Sequence, residues 1–123
     1  MNALGKHLLL ELYDVDRTLL NDLPAVRDIM ISAANGAGAI ILGESFHQFS
    51  PQGVSGVIII AESHLSIHTW PEHGYAAADI FTCGTTVSPE KGAEIIIERM
   101  NPVTHSIMLM HRGMVNVAQK VAG

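Results

Sequence analysis

Val57-Ile58-Ile59-Ile60-Ala61-Glu62-Ser63-His64-Leu65-Ser66-Ile67-His68-Thr69-Trp70-Pro71-Glu72 is the stretch on which the reading of this chain turns. Val57 to Ile60 is apolar without alternation, as in a buried strand. Glu62, Ser63, His64, His68, Trp70 and Glu72 follow within twelve residues. Polar groups set against a buried strand must be paired or they destabilise the fold, so the run asks for a chemical role. On a strand, His64, Ser66, His68 and Trp70 share one face, and Ser63, Leu65, Ile67 and Thr69 share the other.

Working outward, the spacing predicts a third strand over Val54 to Glu62, a fourth over Leu65 to Trp70 and a fifth over Tyr75 to Thr82. Upstream, Leu8 to Tyr13 reads as a first strand, broken by Asp14 and Asp16. A short helical turn follows to Asn21. Asp22-Leu23-Pro24 opens a helix whose buried stripe is Leu23, Val26, Met30 and Ala33, and Gly36 and Gly38 close it. Ala39 to Phe49 reads as the second strand, and Pro51-Gln52-Gly53 as a turn. Downstream, Ser88 caps a helix with Pro89 at its first position and Ala93, Ile96, Ile97 and Met100 on its buried face. Pro102 ends it. Val103 to Met110 is a last strand, and the tail from Gly113 is weakly specified. The order predicts an α+β fold: a two-layer sandwich, with a mostly antiparallel sheet and two helices on one face. The other face would be bare in a monomer, and a second copy could cover it.

The chain has 123 residues, of which 48% are apolar and 15% charged. Such a chain makes one domain, residues 1–123, and is not disordered. Its polar surface is scant for a lone monomer, so part of the apolar excess is expected in a subunit interface. A net charge of −5 with no basic cluster argues against nucleic acid as a partner. No apolar run approaches a membrane span and no signal peptide is evident, so a cytoplasmic protein is expected. Cys83 is the single cysteine, which excludes an intrachain disulfide.

Four chemistries compete for the central stretch. The first is none: a structural strand whose histidines are satisfied core or edge residues. A zinc site from His64, His68, His73 and Cys83 is the second. Four residues on a strand span about 13 Å, too far for two ligands of one ion, so no metal is expected. Third comes an ordinary nucleophilic triad; Cys83 sits at a loop edge suited to a reactive thiol, but no Gly-x-Ser-x-Gly elbow is present. The fourth is self-cleavage at Glu62-Ser63. The serine hydroxyl attacks the preceding carbonyl and turns the amide into an ester. A base then removes the serine Hα, and β-elimination breaks the chain, leaving a dehydroalanine that hydrolyses to a pyruvoyl group. This needs a nucleophile, oxyanion donors and a base, for which Ser63, His68 and nearby hydroxyls such as Ser55 are available.

At these residues the chain resembles the small prokaryotic S-adenosylmethionine decarboxylases, which carry a pyruvoyl group made from their own serine. The matching text is Gly5-Lys6-His7-Leu8, Phe46-His47-Gln48-Phe49, Gly53 to Val57, Glu62 to Glu72, Gly74-Tyr75-Ala76-Ala77 and Asp79 to Gly84. The resemblance runs over residues 4–100 or so. It implies that Ser63 becomes the pyruvoyl group, giving a β chain of residues 1–62 and an α chain of residues 63–123. It further implies that His68 and Ser55 assist processing, that Cys83 reprotonates the substrate α-carbon, that Phe49 and more weakly Trp70 stack on adenine, and that Glu72 holds the ribose hydroxyls. The implied activity is decarboxylation of S-adenosylmethionine for polyamine (spermidine) biosynthesis. The substrate amine would form a Schiff base with the pyruvoyl group, which then acts as electron sink. Arginine or ornithine decarboxylation on the same fold, and an uncleaved non-catalytic paralogue, are the alternatives.

Strand parity adds to this. Ser63 and His68 are five apart and fall on opposite faces of a regular strand. Either a bulge or a bend brings them together, or His68 serves the Ser63 of a second protomer in a homodimer packed sheet to sheet, which is what the resemblance implies. His47 and His73 read as loop or surface residues. His64 beside the cleavage point reads as structural. The segment from Met108 onward matches nothing.

Overall fold

The computed structural model describes residues 2–115. Among these residues six strands form one sheet: β1 (Asn2–Tyr13), β2 (Ile41–Gln48), β3 (Val54–Ile60), β4 (Ser63–Trp70), β5 (Tyr75–Cys83) and β6 (Thr104–Val115). They lie in the order β2-β3-β4-β5-β1-β6, and every pairing is antiparallel. Three helices join them: α1 (Arg17–Leu20), α2 (Leu23–Gly36) and α3 (Pro89–Met100). The α+β reading therefore holds, with the expected turn before Asn21 forming a helix of its own. None of the helices among the described residues is long and apolar enough to cross a membrane.

Local chemistry accounts for the helices. The Asp16 carboxylate accepts from the N–H groups of Thr18 and Leu19, Asp22 accepts from Ala25, and Ser88 accepts from Lys91. Each cap satisfies donors that the first helical turn leaves orphaned. Asn101 takes a left-handed φ of 48° and closes α3 just before Pro102. Alternation then sorts the sheet. Leu8, Leu10, Leu12, Ile58, Ile60, Leu65, Ile67 and Ile80 are buried together with Val26, Ile29, Met30, Ala33, Ala93, Ile96 and Met100 of the two longer helices. Gly92 lets α3 settle on this layer, since a Cβ there would stand 2.9 Å from Ile80 Cδ1. Buried Thr69 is satisfied by accepting from Val54 N–H at 2.8 Å and donating to the Leu20 carbonyl at 2.7 Å.

The opposite face carries His64, Ser66, His68 and Trp70 of β4, as parity predicts, beside residues such as Ser55, Val57 and Ile59 of β3. Met108 and Met110 of β6 pair with Leu9 and His7 and extend this face; both are exposed.

Several boundaries differ from the sequence reading. β1 begins at Asn2 rather than Leu8, because β5 and β6 flank it and pair with it far beyond its apolar run. β6 runs past Met110 and through Gly113 for the same reason. The remainder of the tail, residues 116–123, lies outside the described residues. The third strand stops at Ile60, two residues short of Glu62, and the fourth begins at Ser63 rather than Leu65. That shift turns Ala61 and Glu62 into a hairpin turn.

Candidate active site

Ile60 pairs with Ser63, so only Ala61 and Glu62 connect β3 to β4. Two-residue hairpins favour turns with Gly, Asn or Asp where φ is positive, because other side chains meet the backbone there. Here Glu62 has φ 68° and Ser63 has φ 145°. Two consecutive L-residues outside the ordinary region are strained, and such strain survives only where the surroundings enforce it. Two hydrogen bonds do so. Ala61 N–H donates to the Ile40 carbonyl at 2.8 Å, and Cys83 N–H donates to the Glu62 carbonyl at 3.3 Å. The second is chemically telling, for the Glu62 carbonyl is the one that Ser63 Oγ would attack. A backbone donor already directed at that oxygen can stabilise the charge that develops on it. The side chains of Ser63 and Cys83 are both half-buried, and Glu62 is exposed.

A second cluster sits toward the far end of β4. Ser55 pairs with His68 across β3 and β4, and Ser55 Oγ lies 2.8 Å from His68 Nδ1. Next to them a cavity of about 290 Å³ is lined by Phe49, Gln52, Ser55, His68, Trp70 and Glu72 among others. Phe49 and Trp70 are 46% and 40% exposed, so each has ring surface to offer a ligand. Tyr75 stacks on Trp70 at 5.3 Å and on Tyr13 at 5.6 Å, which braces the indole. Burial and then the Glu11 carboxylate, which accepts from its hydroxyl, push the Tyr75 phenol up to about 12. A larger cavity, about 680 Å³, opens on the other side of Glu72 and Gln52, between α1, the start of α2 and the end of β2. It lacks both His68 and the exposed rings, so the smaller cavity fits an aromatic ligand better. His47 is a surface residue, on a strand rather than in a loop. It lies on β2 opposite Ser55, packs edge-on against Phe49 at 4.6 Å, and borders an adjoining cavity with Ser55, Ser66 and His68.

Between the clusters lies a constellation that the sequence reading did not combine. The Nε2 atoms of His7 and His64 stand 2.5 and 3.2 Å from the same oxygen of Asp79, and Ser66 donates to the other. Burial draws the Asp79 pKa upward, but the hydrogen bonds from Ser66, His7 and His64 outweigh it and hold the carboxyl below its ordinary value. Among the described residues this is the one group of three with metal-ligand geometry. Arg112 argues for a proton instead. Its guanidinium lies 3.4 Å from His7 Nδ1 and can only donate, which leaves Nε2 as the protonated nitrogen facing Asp79. The zinc set weighed and set aside from the sequence, His64, His68, His73 and Cys83, does not converge: His64 joins Asp79, His68 joins Ser55, and His73 is exposed in the 3₁₀ turn Pro71–His73.

The sequence-derived residues thus fall into two groups. Glu62, Ser63 and Cys83 meet at one end of β4, and Ser55, His68, Phe49, Trp70 and Glu72 gather at the other. Five residues of strand, about 17 Å, separate Ser63 from His68. No bulge interrupts the β3–β4 register between them.

This architecture is that of the adenosylmethionine decarboxylase fold. A crystal structure of the adenosylmethionine decarboxylase from Aquifex aeolicus superposes with a TM-score of 0.89 at 35% identity, covering 94% of this chain and 96% of that one. Trypanosoma brucei AdoMetDC, as a delta26 monomer, matches at TM-score 0.62 and 16% identity over 85% of this chain and 45% of its own, a likeness of fold alone. The chain belongs to the S-adenosylmethionine decarboxylase family, whose sequence profile matches residues 6–113. The S-adenosylmethionine decarboxylase proenzyme of Thermodesulfovibrio yellowstonii is 51% identical over 94% of this chain and 86% of its own. That of Caldanaerobacter subterraneus is 48% identical over 99% and 98%.

Proposed function

We propose that the Glu62–Ser63 bond is the point of self-cleavage and that Ser63 becomes the pyruvoyl group with which this chain decarboxylates S-adenosylmethionine. The reading rests on one observation above the rest: consecutive strained residues at that bond, with Cys83 N–H on the carbonyl to be attacked. Ser63 Oγ bonds to the Glu62 carbonyl carbon, the Glu62–Ser63 C–N bond breaks, and the hydroxyl proton passes to the serine nitrogen. The Cys83 N–H steadies the oxyanion on the way. His68 then takes the Ser63 Hα, the Cβ–Oγ bond breaks with Glu62 leaving as a C-terminal carboxylate, and the dehydroalanine takes up water and releases ammonia; Ser55, at 2.8 Å, keeps the imidazole oriented. The products are a β chain of residues 1–62 and an α chain of residues 63–123. A pyruvoyl group supplies an electron sink for loss of CO2. The Cys83 thiol delivers the proton to the substrate α-carbon, Phe49 and Trp70 receive the adenine, and the Glu72 carboxylate accepts from the ribose hydroxyls.

The working unit is a homodimer packed through the open sheet faces. A regular β4 keeps Ser63 and His68 about 17 Å apart, so His68 must act on a Ser63 that is not its own. The exposed Ile59, Met108 and Met110 supply apolar surface for such a contact. The product is an aminopropyl donor suited to polyamine biosynthesis in the cytoplasm.

Denaturing intact-mass analysis tests the reading directly. Two fragments breaking at Glu62–Ser63 are expected, and a single intact chain from Ser63→Ala. CO2 release measured separately with S-adenosylmethionine, arginine and ornithine tests the substrate. Wild-type chain that stays whole would overturn the cleavage, and release from arginine or ornithine instead would overturn the substrate.

A further inference from the structure

Thr82 Oγ1 is the one buried side-chain polar atom among the described residues that lacks a hydrogen-bond partner. Thr82 is 2% exposed. Thr69, the other buried threonine, bonds both to a backbone N–H and to a backbone carbonyl. A buried hydroxyl without a partner destabilises a fold, and valine would fill the same volume without that cost. The location makes the exception informative. Thr82 pairs directly with Ser63 across β4 and β5, and opposed residues in an antiparallel ladder place their side chains on one face, within about 5.5 Å at Cβ. The next residue, Cys83, is the one whose N–H engages the Glu62 carbonyl.

We propose that Thr82 is a processing residue. Its hydroxyl is the hydrogen-bond partner of Ser63 Oγ when Ser63 turns to attack the Glu62 carbonyl. In the resting chain the hydroxyl has no partner. In the reacting arrangement it accepts from the Ser63 O–H, which turns an Oγ lone pair toward the carbonyl carbon. Thr82 neither gains nor loses a proton, since the Ser63 hydroxyl proton ends on the Ser63 nitrogen as the C–N bond breaks. An interaction made in the transition state and absent from the ground state raises the rate without adding to the stability of the precursor.

The inference rests on Ser63 being the cleavage residue, and the wild-type chain with its Ser63→Ala control tests that separately. For Thr82 itself, precursor is made by cell-free synthesis, and cleavage is followed on denaturing gels for wild type, Thr82→Val and Thr82→Ser. Thermal midpoints are taken with each substitution in a Ser63→Ala background, which stays uncleaved. Loss of the hydrogen bond should slow Thr82→Val about tenfold while its midpoint stays equal or rises. Thr82→Ser should recover most of the rate. Hydroxylamine, which cuts esters, should release no extra fragment from Thr82→Val, since the block precedes the ester. Wild-type speed in Thr82→Val would overturn the proposal. So would ester accumulation, or a slow Thr82→Ser whose midpoint falls, which would mark an ordinary packing role. If Thr82→Val does not fold, Thr82→Ala carries the same expectations for rate and hydroxylamine, with a midpoint lowered by the cavity it leaves.

Discussion

Replacing Glu62 by glycine separates strain from chemistry at the cleavage point. Glu62 sits at φ 68°, where an L-residue bears about 1–2 kcal/mol that glycine does not. Glycine gives back about 0.5–1 kcal/mol through its freer unfolded chain. The precursor should therefore gain about 0.5–1 kcal/mol, or a thermal midpoint higher by about 2–6 °C. That gain is measurable in a Ser63→Ala background, where no cleavage confuses the melt. The strain leaves the chain as the Glu62–Ser63 bond breaks. If most of it is expressed in the transition state, Glu62→Gly should cleave about 3–10 times more slowly. Glu62→Ala is the control, because it removes the exposed carboxylate and keeps the Cβ. The assay is cleavage of freshly synthesised precursor over time, in parallel for the three chains. Equal rates for Glu62→Gly and Glu62→Ala would refute the argument, whether both are fast or both are slow.

Two other outcomes follow from the site. Refolding a Ser63→Ala chain together with a His68→Ala chain should restore cleavage of the intact serine in mixed dimers, read by intact mass; no rescue would exclude a site built from two protomers. Asp79 concerns stability. Its folded-state carboxyl lies below the ordinary 3.8, so the charged form contributes stability that is present above that value and is lost as pH falls through the lower folded one. Urea unfolding of uncleaved Ser63→Ala chains with and without Asp79→Asn should accordingly show a gap at neutral pH that narrows from about pH 5 downward; a gap independent of pH would contradict the hydrogen-bonded carboxylate.

The layers, the helix caps and the facing of β4 were legible because each depends on spacing within one segment. His64, Ser66, His68 and Trp70 share a face through alternation alone. What escaped depends on partners distant in sequence. Nothing in Asn2-Ala3-Leu4-Gly5-Lys6 marks a strand, and its ladder comes from β5 and β6. His7 and Asp79 are 72 positions apart, and their meeting is set by the β1–β5 register. The Ala61–Glu62 turn was hidden for another reason. Its residues are poor at turning, and tertiary contacts with Ile40 and Cys83 hold them there. His47 is on the surface as read, but the Phe46-His47-Gln48-Phe49 text gives no sign that β3 would bring Ser55 opposite it.

The strand order carries one more consequence. If the chain parts after residue 62, the first product holds β1, β2 and β3 and the second holds β4, β5 and β6. In the sheet these run β2-β3, then β4-β5, then β1, then β6. The two pieces are interleaved, with β1 of one piece clasped between two strands of the other. Cutting the turn removes a covalent link and disturbs no rung beyond the closing Ile60–Ser63 pair, so the nicked protein stays assembled until the sheet itself is unzipped. Its folding, however, is used once. After denaturation the loop that carried β3 into β4 is gone, and two separate peptides must find one another and thread a strand between its neighbours. Recovery should then depend on fragment concentration, whereas the uncut Ser63→Ala chain refolds its sheet from a single molecule.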